Sequence, residues 1–249
     1  MDTKALRQKI LDLAIRGKLV PQDPNDEPAS ALLEKIRSEK QQMVKEGKLK
    51  AKDIKNDTII FRGEDNLHYE QFQDGTVKCI EEEIPFEVPE GWEWCRLNSI
   101  SNEIFAGGDK PGDTVKNPDI AHTIPIYSNS IENLGLYGYT SNPRVIVPAI
   151  TISARGTIGY TCVRKEPFVP IIRLLTIIPS CNINIEYLSL VFMSSIIKSE
   201  GSSIPQLTVP SIKTMYIPVP PNNEQKQIFD KVHTALYHIS LIDHHFTSF

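Results

Sequence analysis

Short polar side chains and isolated cations lie in several glycine- and proline-bounded loops of this sequence. One loop holds Ser128, Asn129 and Ser130, with Tyr137 shortly after it, and another places Arg155 beside a glycine. An asparagine amide can hydrogen-bond adenine at two positions, and a guanidinium can bind guanine or phosphate. The plainer interpretation is turn formation for Ser and Asn and packing for Tyr. These loops therefore either contact nucleotides or only connect strands.

Two further loops carry the same kinds of group. Gly107 and Gly108 open a glycine- and proline-rich segment that also contains Lys110. Its backbone N–H groups and its lysine could reach a phosphate, although a plain solvent loop has the same composition. A later loop between glycine and proline contributes three short hydrogen-bonding side chains: Ser202, Ser203 and Gln206.

No catalytic or metal-binding motif accompanies these loops. Ser153 lies in Ser-Ala-Arg-Gly, which is neither a nucleophile elbow nor a Ser-x-x-Lys motif. The sequence has no P-loop and no Gly-x-Gly-x-x-Gly after a strand. Its four cysteines are scattered without Cys-x-x-Cys spacing, which predicts reduced thiols rather than a zinc site. We therefore expect no catalytic residue, no metal and no cofactor.

Composition limits the class of partner. The formal net charge is −4 at pH 7, which argues against a strongly basic nucleic-acid binder. Residues 91–180 hold 8 Lys/Arg and 7 Asp/Glu, so this part is nearly neutral and could present only a local basic face. The N-terminus lacks the apolar segment of a signal peptide, and no apolar run reaches the ~18 residues of a membrane helix. A cytoplasmic location is expected.

The patterns predict an α+β chain in three parts. Residues 1–88 form an N-terminal helical arm with a small β-hairpin element, residues 89–220 form a β-rich domain, and residues 221–249 form a helix. Two nearby tryptophans, Trp92 and Trp94, have strand spacing and are expected to be core or rim residues that share a face.

Periodicity and turn residues predict the individual elements. Helices are expected over 2–16, 28–46 and 182–195, the last capped by Asn184. A short helix is expected over 97–105. Strands are expected over 58–61, 67–72, 76–80, 124–127, 144–147, 149–153, 157–163, 171–178 and 215–219, with Pro218 placing the last one at a sheet edge.

The last helix carries an apolar seam with a period near 3.5. That spacing is narrower than the stripe that faces a globular core, and it predicts pairing with another helix. Packing of this helix on its own domain is the alternative. The seam comprises Ile228, Val232, Ala235, Ile239 and Ile242.

Several motifs resemble those of the specificity subunits of type I restriction–modification systems. Residues 203–207 read Ser-Ile-Pro-Gln-Leu, and residues 217–221 read Ile-Pro-Val-Pro-Pro. Residues 153–159 are similar to the central motif of the recognition domains, residues 89–92 to their usual start, and residues 6–21 to another recurrent piece. The motifs keep a sensible order over nearly the whole chain.

This resemblance implies sequence-specific binding of double-stranded DNA by a non-catalytic subunit. Residues 89–220 would be the target-recognition domain and residues 221–249 the spacer helix, with the loop residues above and Thr157 contacting DNA. The implied partners are a methyltransferase subunit and a restriction subunit. Complete subunits of the family carry two recognition domains, whereas one is found here, so we expect a half-length chain or a fragment that associates as a homodimer. The rival hypothesis is a protein-interaction module whose loops never touch DNA.

Overall fold

The computed structural model describes residues 2–156, 158–197 and 207–247, with the side chains of 196–197 and 242–247 left aside. The described helices are α1 (Thr3–Ile15), α2 (Ala29–Lys45), α3 (Ala51–Ile54), α4 (Ile185–Ile197), α5 (Val209–Lys213) and α6 (Asn222–Thr247). The described strands are β1 (Ile59–Arg62), β2 (His68–Gln71), β3 (Val77–Cys79), β4 (Glu93–Arg96), β5 (Ser101–Ala106), β6 (Ile124–Tyr127), β7 (Leu136–Thr140), β8 (Ala149–Ile152), β9 (Thr161–Arg164), β10 (Val169–Pro170), β11 (Leu175–Pro179) and β12 (Tyr216–Val219). The predicted α+β class is confirmed.

The N-terminal helices begin and end where the sequence predicts. Asp2 caps α1 by accepting a hydrogen bond from the backbone N–H of Ala5 at 2.9 Å. Gly17 follows with a φ of +64°, and a Cβ at this position would lie 2.3 Å from Pro89 Cγ. Glycine is therefore required there both for the left-handed turn and for the close approach of the chain.

One buried cluster joins both ends of the chain to its middle. Leu11 of α1, Ile36 of α2, Leu188 of α4 and Ile228 of α6 lie in it together with Trp92. The helices of the N-terminal arm are thus part of the main core. Among the described residues, no helix is both long enough and apolar enough to cross a membrane.

The two tryptophans are core residues, as predicted, but they do not share a face. Trp92 precedes β4 in the turn after Gly91, whose φ is +83°, and packs into the main core. Trp94 lies within β4 and packs instead against Ile60 and Ile80 of the small β element. The turn breaks the strand alternation, so the two side chains serve different cores.

One sheet is four-stranded and antiparallel, with the strand order β5–β11–β8–β9. In its register, Leu175 pairs with both Ala106 and Ile152, and Ile152 pairs with Thr161. At one end of this sheet, therefore, β5 and β8 end where β11 and β9 begin. A second sheet, β10–β6–β7, has its strand ends Tyr127 and Pro170 paired side by side.

Several predicted elements differ in the structure. The helix expected over 97–105 is a 3₁₀ turn, Leu97–Ile100, followed by β5. The strand expected over 144–147 is wrong, because only Val145 forms an isolated bridge there. The strands expected over 157–163 and 171–178 start later, at Thr161 and Leu175. The second shift arises from positive φ values just before β11, which no strand accommodates.

Other predictions are confirmed. The small β element forms the sheet β1–β2–β3, and α4 is capped by Asn184, whose side chain accepts from the N–H of Tyr187 at 2.8 Å. Strand β12 pairs only with β4 and is an edge strand that contains Pro218.

Two ion pairs attach the small β element to the rest of the protein. Lys40 Nζ lies 2.6 Å from Asp57 Oδ2 and donates to the carbonyl of Asn98 at 2.8 Å. Burial lowers the pKa of Lys40 and raises the pKa of Asp57, so each group depends on the other to stay charged. Arg96 donates to both carboxylate oxygens of Glu70 at 2.9 and 2.6 Å.

Glu224 joins the first turn of α6 to the loop after α1. Its carboxylate is buried and accepts hydrogen bonds from Gln22 Nε2 at 3.1 Å and Trp92 Nε1 at 2.9 Å. Burial raises the pKa of Glu224, although these two donors oppose the shift. This contact fixes the first turn of α6 against the loop after α1 and against Trp92, just before β4.

We predict that Lys40→Met lowers the free energy of unfolding by about 3–5 kcal/mol, because it leaves Asp57 buried without its cation. Denaturant titration measures the change. Lys35→Met is the matched control, since Lys35 is exposed on the same helix and its replacement should change stability by less than about 0.5 kcal/mol. Equal effects of the two substitutions would show that the buried pair does not hold the element in place.

Candidate functional site

Four loops meet where the strands of the two sheets end. They follow β5, β6 and β8 and precede β11, and we call their described residues together the loop cluster: 107–110, 128–130, 153–156, 158–159 and 171–174. The sheet register brings these segments together although up to 67 positions separate them in sequence, from 107 to 174. Strand pairing thus assembles a surface that no local stretch could form alone.

Asn129 is the central connection of the loop cluster. Its Oδ1 accepts a hydrogen bond from the N–H of Ala154 at 2.8 Å, and its Nδ2 donates to the carbonyl of Ile172 at 2.5 Å. Its own carbonyl accepts from Ser153 Oγ at 3.1 Å. Each amide atom makes one of these bonds and keeps one further position, since Oδ1 has a second lone pair and Nδ2 a second N–H. That Asn129 reads adenine therefore stays a prediction. Its observed role is to hold two other loops.

The predicted glycine loop is held by the segment before β11. The N–H groups of Ile172 and Arg173 donate to the carbonyls of Gly108 and Gly107 at 2.8 and 2.9 Å. A Cβ at Gly107 would lie 2.7 Å from the backbone of Pro170, so only glycine fits there. Gly108 has more space, but it faces a guanidinium: its Cβ would lie 3.7 Å from Arg144 Nη1.

Three exposed cations belong to the loop cluster, and a fourth lies beside it at Gly108: Lys110, Arg155 and Arg173, and next to them Arg144. None of them forms an ion pair with a carboxylate in the part of the chain that the structure describes. Arg144 lies over the ring of Phe105, with its Cζ 4.2 Å from the ring centroid, and this leaves its N–H groups directed to solvent. Unpaired cations on a chain of net charge −4 produce the local basic face that the composition allowed.

Two nearby carboxylates are engaged within the protein, whereas Asp109 of the loop cluster is exposed and has no partner among the described residues. Asp113 accepts from the hydroxyls of Thr140 and Ser141 at 2.5 and 2.6 Å, and these hydrogen bonds hold the pKa of Asp113 well below its usual range. Asp119 bonds to His122, which lowers the pKa of that carboxyl as well. These groups order the segment after Gly108 instead of neutralising the exposed cations.

The remaining predicted residues occupy different positions. Ser128 donates from its N–H to the carbonyl of Gly135 at 2.8 Å, and the hydroxyl of Ser130 accepts from the N–H of Glu132 at 3.1 Å, so both form turn contacts. Tyr137 is 45% exposed on β7 and retains a free ring face. Four predicted residues lie outside the described part of the chain: Thr157, Ser202, Ser203 and Gln206.

Arg173 and Arg144 were not among the predicted site residues. Arg173 follows two isoleucines, so the sequence pattern placed it inside a strand. Instead, Ile172 has a φ of +53° and Arg173 a φ of +59°. These two residues form a turn, and the turn projects Arg173 from the end of the sheet. Arg164 was also missed: it is buried, stacks 3.6 Å from the ring of Tyr127 and donates to Thr151 Oγ1 at 3.2 Å, which supports the loops from below.

The predicted helix seam divides into two parts. Ile228 and Val232 are fully buried, and both belong to the main core with α1 and α4. They are covered by the chain's own helices and are not available to a second chain. Ala235 is half-buried and Ile239 is buried, whereas the side chain of Ile242 lies outside the described residues.

One group of described residues has the composition of a metal site. The ligand atoms of His68, Glu81 and Glu87 lie within 4.8 Å of one another. His68 Nδ1 already bonds to Glu81 at 2.7 Å and Glu87 pairs with Arg62, so these contacts satisfy the group without a metal. It belongs to the small β element and not to the loop cluster.

Comparison with known proteins agrees with the resemblance seen in the motifs. Residues 89–244, more than half of the chain, match the type I restriction modification DNA specificity domain family. The chain belongs to this family. The match includes the whole loop cluster and most of α6.

Individual relatives are specificity subunits. The chain is 31% identical to the type I restriction enzyme EcoAI specificity subunit of Escherichia coli, over 92% of this chain and 39% of that protein. It is 47% identical over 98 residues to the EcoEI specificity subunit of the same species, 39% of this chain and 13% of that protein. The HsdS subunit from Thermoanaerobacter tengcongensis shares the fold, with a TM-score of 0.53, 14% identity, and coverage of 96% of this chain and 51% of that one. The chain thus spans only part of the length of each relative.

We predict that Asn129→Ala loosens the loop cluster, because it removes the side-chain partners of Ala154 N–H and Ile172 C=O. Stability should fall by about 1–3 kcal/mol, and hydrogen exchange of the Ala154 amide should become faster. Asn142→Ala is the control, since Asn142 is exposed and bonds only to its neighbour Ser141. Unchanged protection of Ala154 in Asn129→Ala would contradict the proposed connection.

Proposed function

We propose that this chain is the DNA-reading part of a type I restriction–modification complex. It binds double-stranded DNA through the loop cluster and selects the site at which methyltransferase and restriction subunits act. The observation that carries the proposal is the convergence of four loops with unpaired cations within the region that matches the specificity domain family. The complex would work in the cytoplasm.

The chemistry of this function is recognition without reaction. Arg155 and Arg173 project from turns that Asn129 ties together, and a guanidinium can bond to guanine O6 and N7 or to a phosphate. Lys110 and Arg144 flank the glycine loop and supply further positive charge for phosphates. Methylation and cleavage belong to the partner subunits, which would contribute much of the affinity that a chain of net charge −4 lacks.

A second copy of the chain would complete a bipartite reader. Two recognition domains, held apart by helices, would each contact one half of the target. The first turns of α6 are buried in the chain's own core, so the pairing surface lies farther along. Tyr237 is 57% exposed and Leu241 is 47% exposed, and the two are four residues apart on one helix face.

We predict that Arg155→Ala and Arg173→Ala each weaken binding to the preferred DNA sequence by roughly 5- to 150-fold, which corresponds to about 1–3 kcal/mol per lost contact. The measurement is an electrophoretic shift with the methyltransferase subunit present, followed by selection of preferred sequences from a random pool. A change in the selected bases would identify an arginine that reads sequence.

Lys226→Ala is the control for these substitutions, because Lys226 is an exposed cation on α6. It should leave both the affinity and the selected sequence unchanged. The rival hypothesis, a protein-interaction module, predicts that all three variants select the same DNA as the unmodified complex. That outcome would overturn the proposed function.

We predict that the chain has twice the 28.1 kDa mass of one copy in solution at high concentration, and that Tyr237→Asp combined with Leu241→Asp converts it to single chains. Charged groups cannot be buried without a partner, so the double substitution should prevent pairing. Light scattering measures the mass. Lys231→Asp, at an exposed position turned away from that face, should leave it unchanged. A single-chain mass for the unmodified protein would exclude the paired arrangement.

A further inference from the structure

A second set of unpaired cations lies at the opposite end of β5 from the loop cluster. Lys50, Lys52 and Lys55 belong to or border α3, and Lys213 ends α5. The first three are exposed and Lys213 is half-buried. None of them forms an ion pair in the described part of the chain, and we call these four residues the lysine surface.

Two adjoining grooves carry the lysine surface. One groove of about 720 Å³ is lined by Lys55, Lys213, Asn98 and Arg96. A second groove of about 550 Å³ is lined by Lys50, Lys52 and, again, Lys213 and Asn98. Since Lys213 and Asn98 line both grooves, the two grooves adjoin at these residues, and each groove has lysines in its lining.

Five carboxylates line the two grooves beside the lysine surface: Asp53, Asp57, Glu70, Asp74 and Glu103. Asp57 is occupied by Lys40 at 2.6 Å, and Glu70 accepts two bonds from Arg96. Asp53 accepts from the N–H of Lys50 at 3.2 Å at the start of α3. Asp74 accepts from the hydroxyl of Thr76 at 2.7 Å. Four of the five carboxylates are thus engaged by groups other than the side chains of the lysine surface, and the four lysines exceed the exposed Glu103 in charge, an arrangement that favours an external polyanion.

Strand β5 fixes the distance between the lysine surface and the loop cluster. The strand begins at Ser101, which lines the second groove, and ends at Ala106, directly before Gly107. Six residues of strand span about 20 Å, which corresponds to about six base pairs of duplex at 3.4 Å per pair. This separation is within the reach of a duplex that extends past the loop cluster.

We infer that the lysine surface binds the phosphate backbone of double-stranded DNA about six base pairs to the side of the sequence that the loop cluster reads. The inference rests on the proposed function for the position of the DNA, but its chemistry is independent of sequence. Lysine ammonium groups act as point charges toward phosphate and do not distinguish bases.

The test compares two quadruple variants of the full chain. The first replaces Lys50, Lys52, Lys55 and Lys213 with alanine. The second, a control of equal charge, replaces four exposed lysines elsewhere with alanine: Lys18, Lys35, Lys226 and Lys231. Fluorescence anisotropy measures binding to a random-sequence duplex of about 30 base pairs over a series of salt concentrations, because the salt slope counts phosphate contacts. Circular dichroism checks that both variants are folded.

The expected result is that the slope of log K against log salt becomes smaller by about 2–4 in the first variant, at roughly 0.9 per lost phosphate contact, and stays unchanged in the control. A duplex of about 10 base pairs, too short to reach both surfaces, should show little difference between the variants. Equal slopes for the two variants overturn the inference, as does an unmodified chain that binds no duplex at low salt. A first variant that binds DNA normally but loses its association with the methyltransferase subunit overturns it too, and assigns the surface to a protein.

Failure of the proposed function gives a different pattern. If the chain selects no sequence from a random pool but the salt slope still depends on the lysine surface, the loop cluster does not read bases. Phosphate binding by the lysine surface then stands, and its placement beside a read sequence is overturned. If selection is normal and both quadruple variants behave alike, the proposed function stands and the lysine surface does not bind DNA.

Discussion

The pairing of β11 with β5 on one side and β8 on the other is the constraint on which the rest of this structure depends. It places the ends of β5, β8 and β11 side by side. The loop after β6, a strand of the other sheet, joins them through the hydrogen bonds of Asn129. A shift of one residue in this register would turn Ile177, which is completely buried between Ile104 and Ile150, toward the opposite face. Burial of apolar side chains in the core thus fixes the positions of polar groups at the surface.

Polar interactions inside the protein serve the same purpose. Asn129 connects two neighbouring loops because its amide bonds to the N–H of Ala154 and to the carbonyl of Ile172. The buried Arg164 bonds to Thr151 on β8, the strand that leads into one of these loops. The buried pairs Lys40–Asp57 and Arg96–Glu70 orient the small β element. Because these carboxylates are used internally, they do not neutralise the cations of the loop cluster or of the lysine surface. A chain of net charge −4 can therefore carry basic faces.

The sequence allowed some parts of the candidate site to be predicted and not others. The glycine loop at 107–108, the turn at Arg155 and the exposed Tyr137 were found from local composition, since turn residues act over a few positions. Asn129 was predicted to contact bases because its residue type allows that chemistry, whereas its bonds to two other loops could not be predicted from the sequence. Arg173 was missed because two isoleucines before it suggested a strand, and only the positive φ values reveal the turn.

By itself, the sequence determined the family, the α+β class, most helix boundaries and the absence of recognisable catalytic motifs, because these depend on residue types and on spacing over short distances. Tertiary structure alone decided which loops meet, which cations stay unpaired, and which residues of the α6 seam are already covered. Ile228 and Val232 have the spacing of a pairing seam, but α1 and α4 bury them. The physical reason is that burial and charge pairing depend on contacts between distant segments, which no local pattern records.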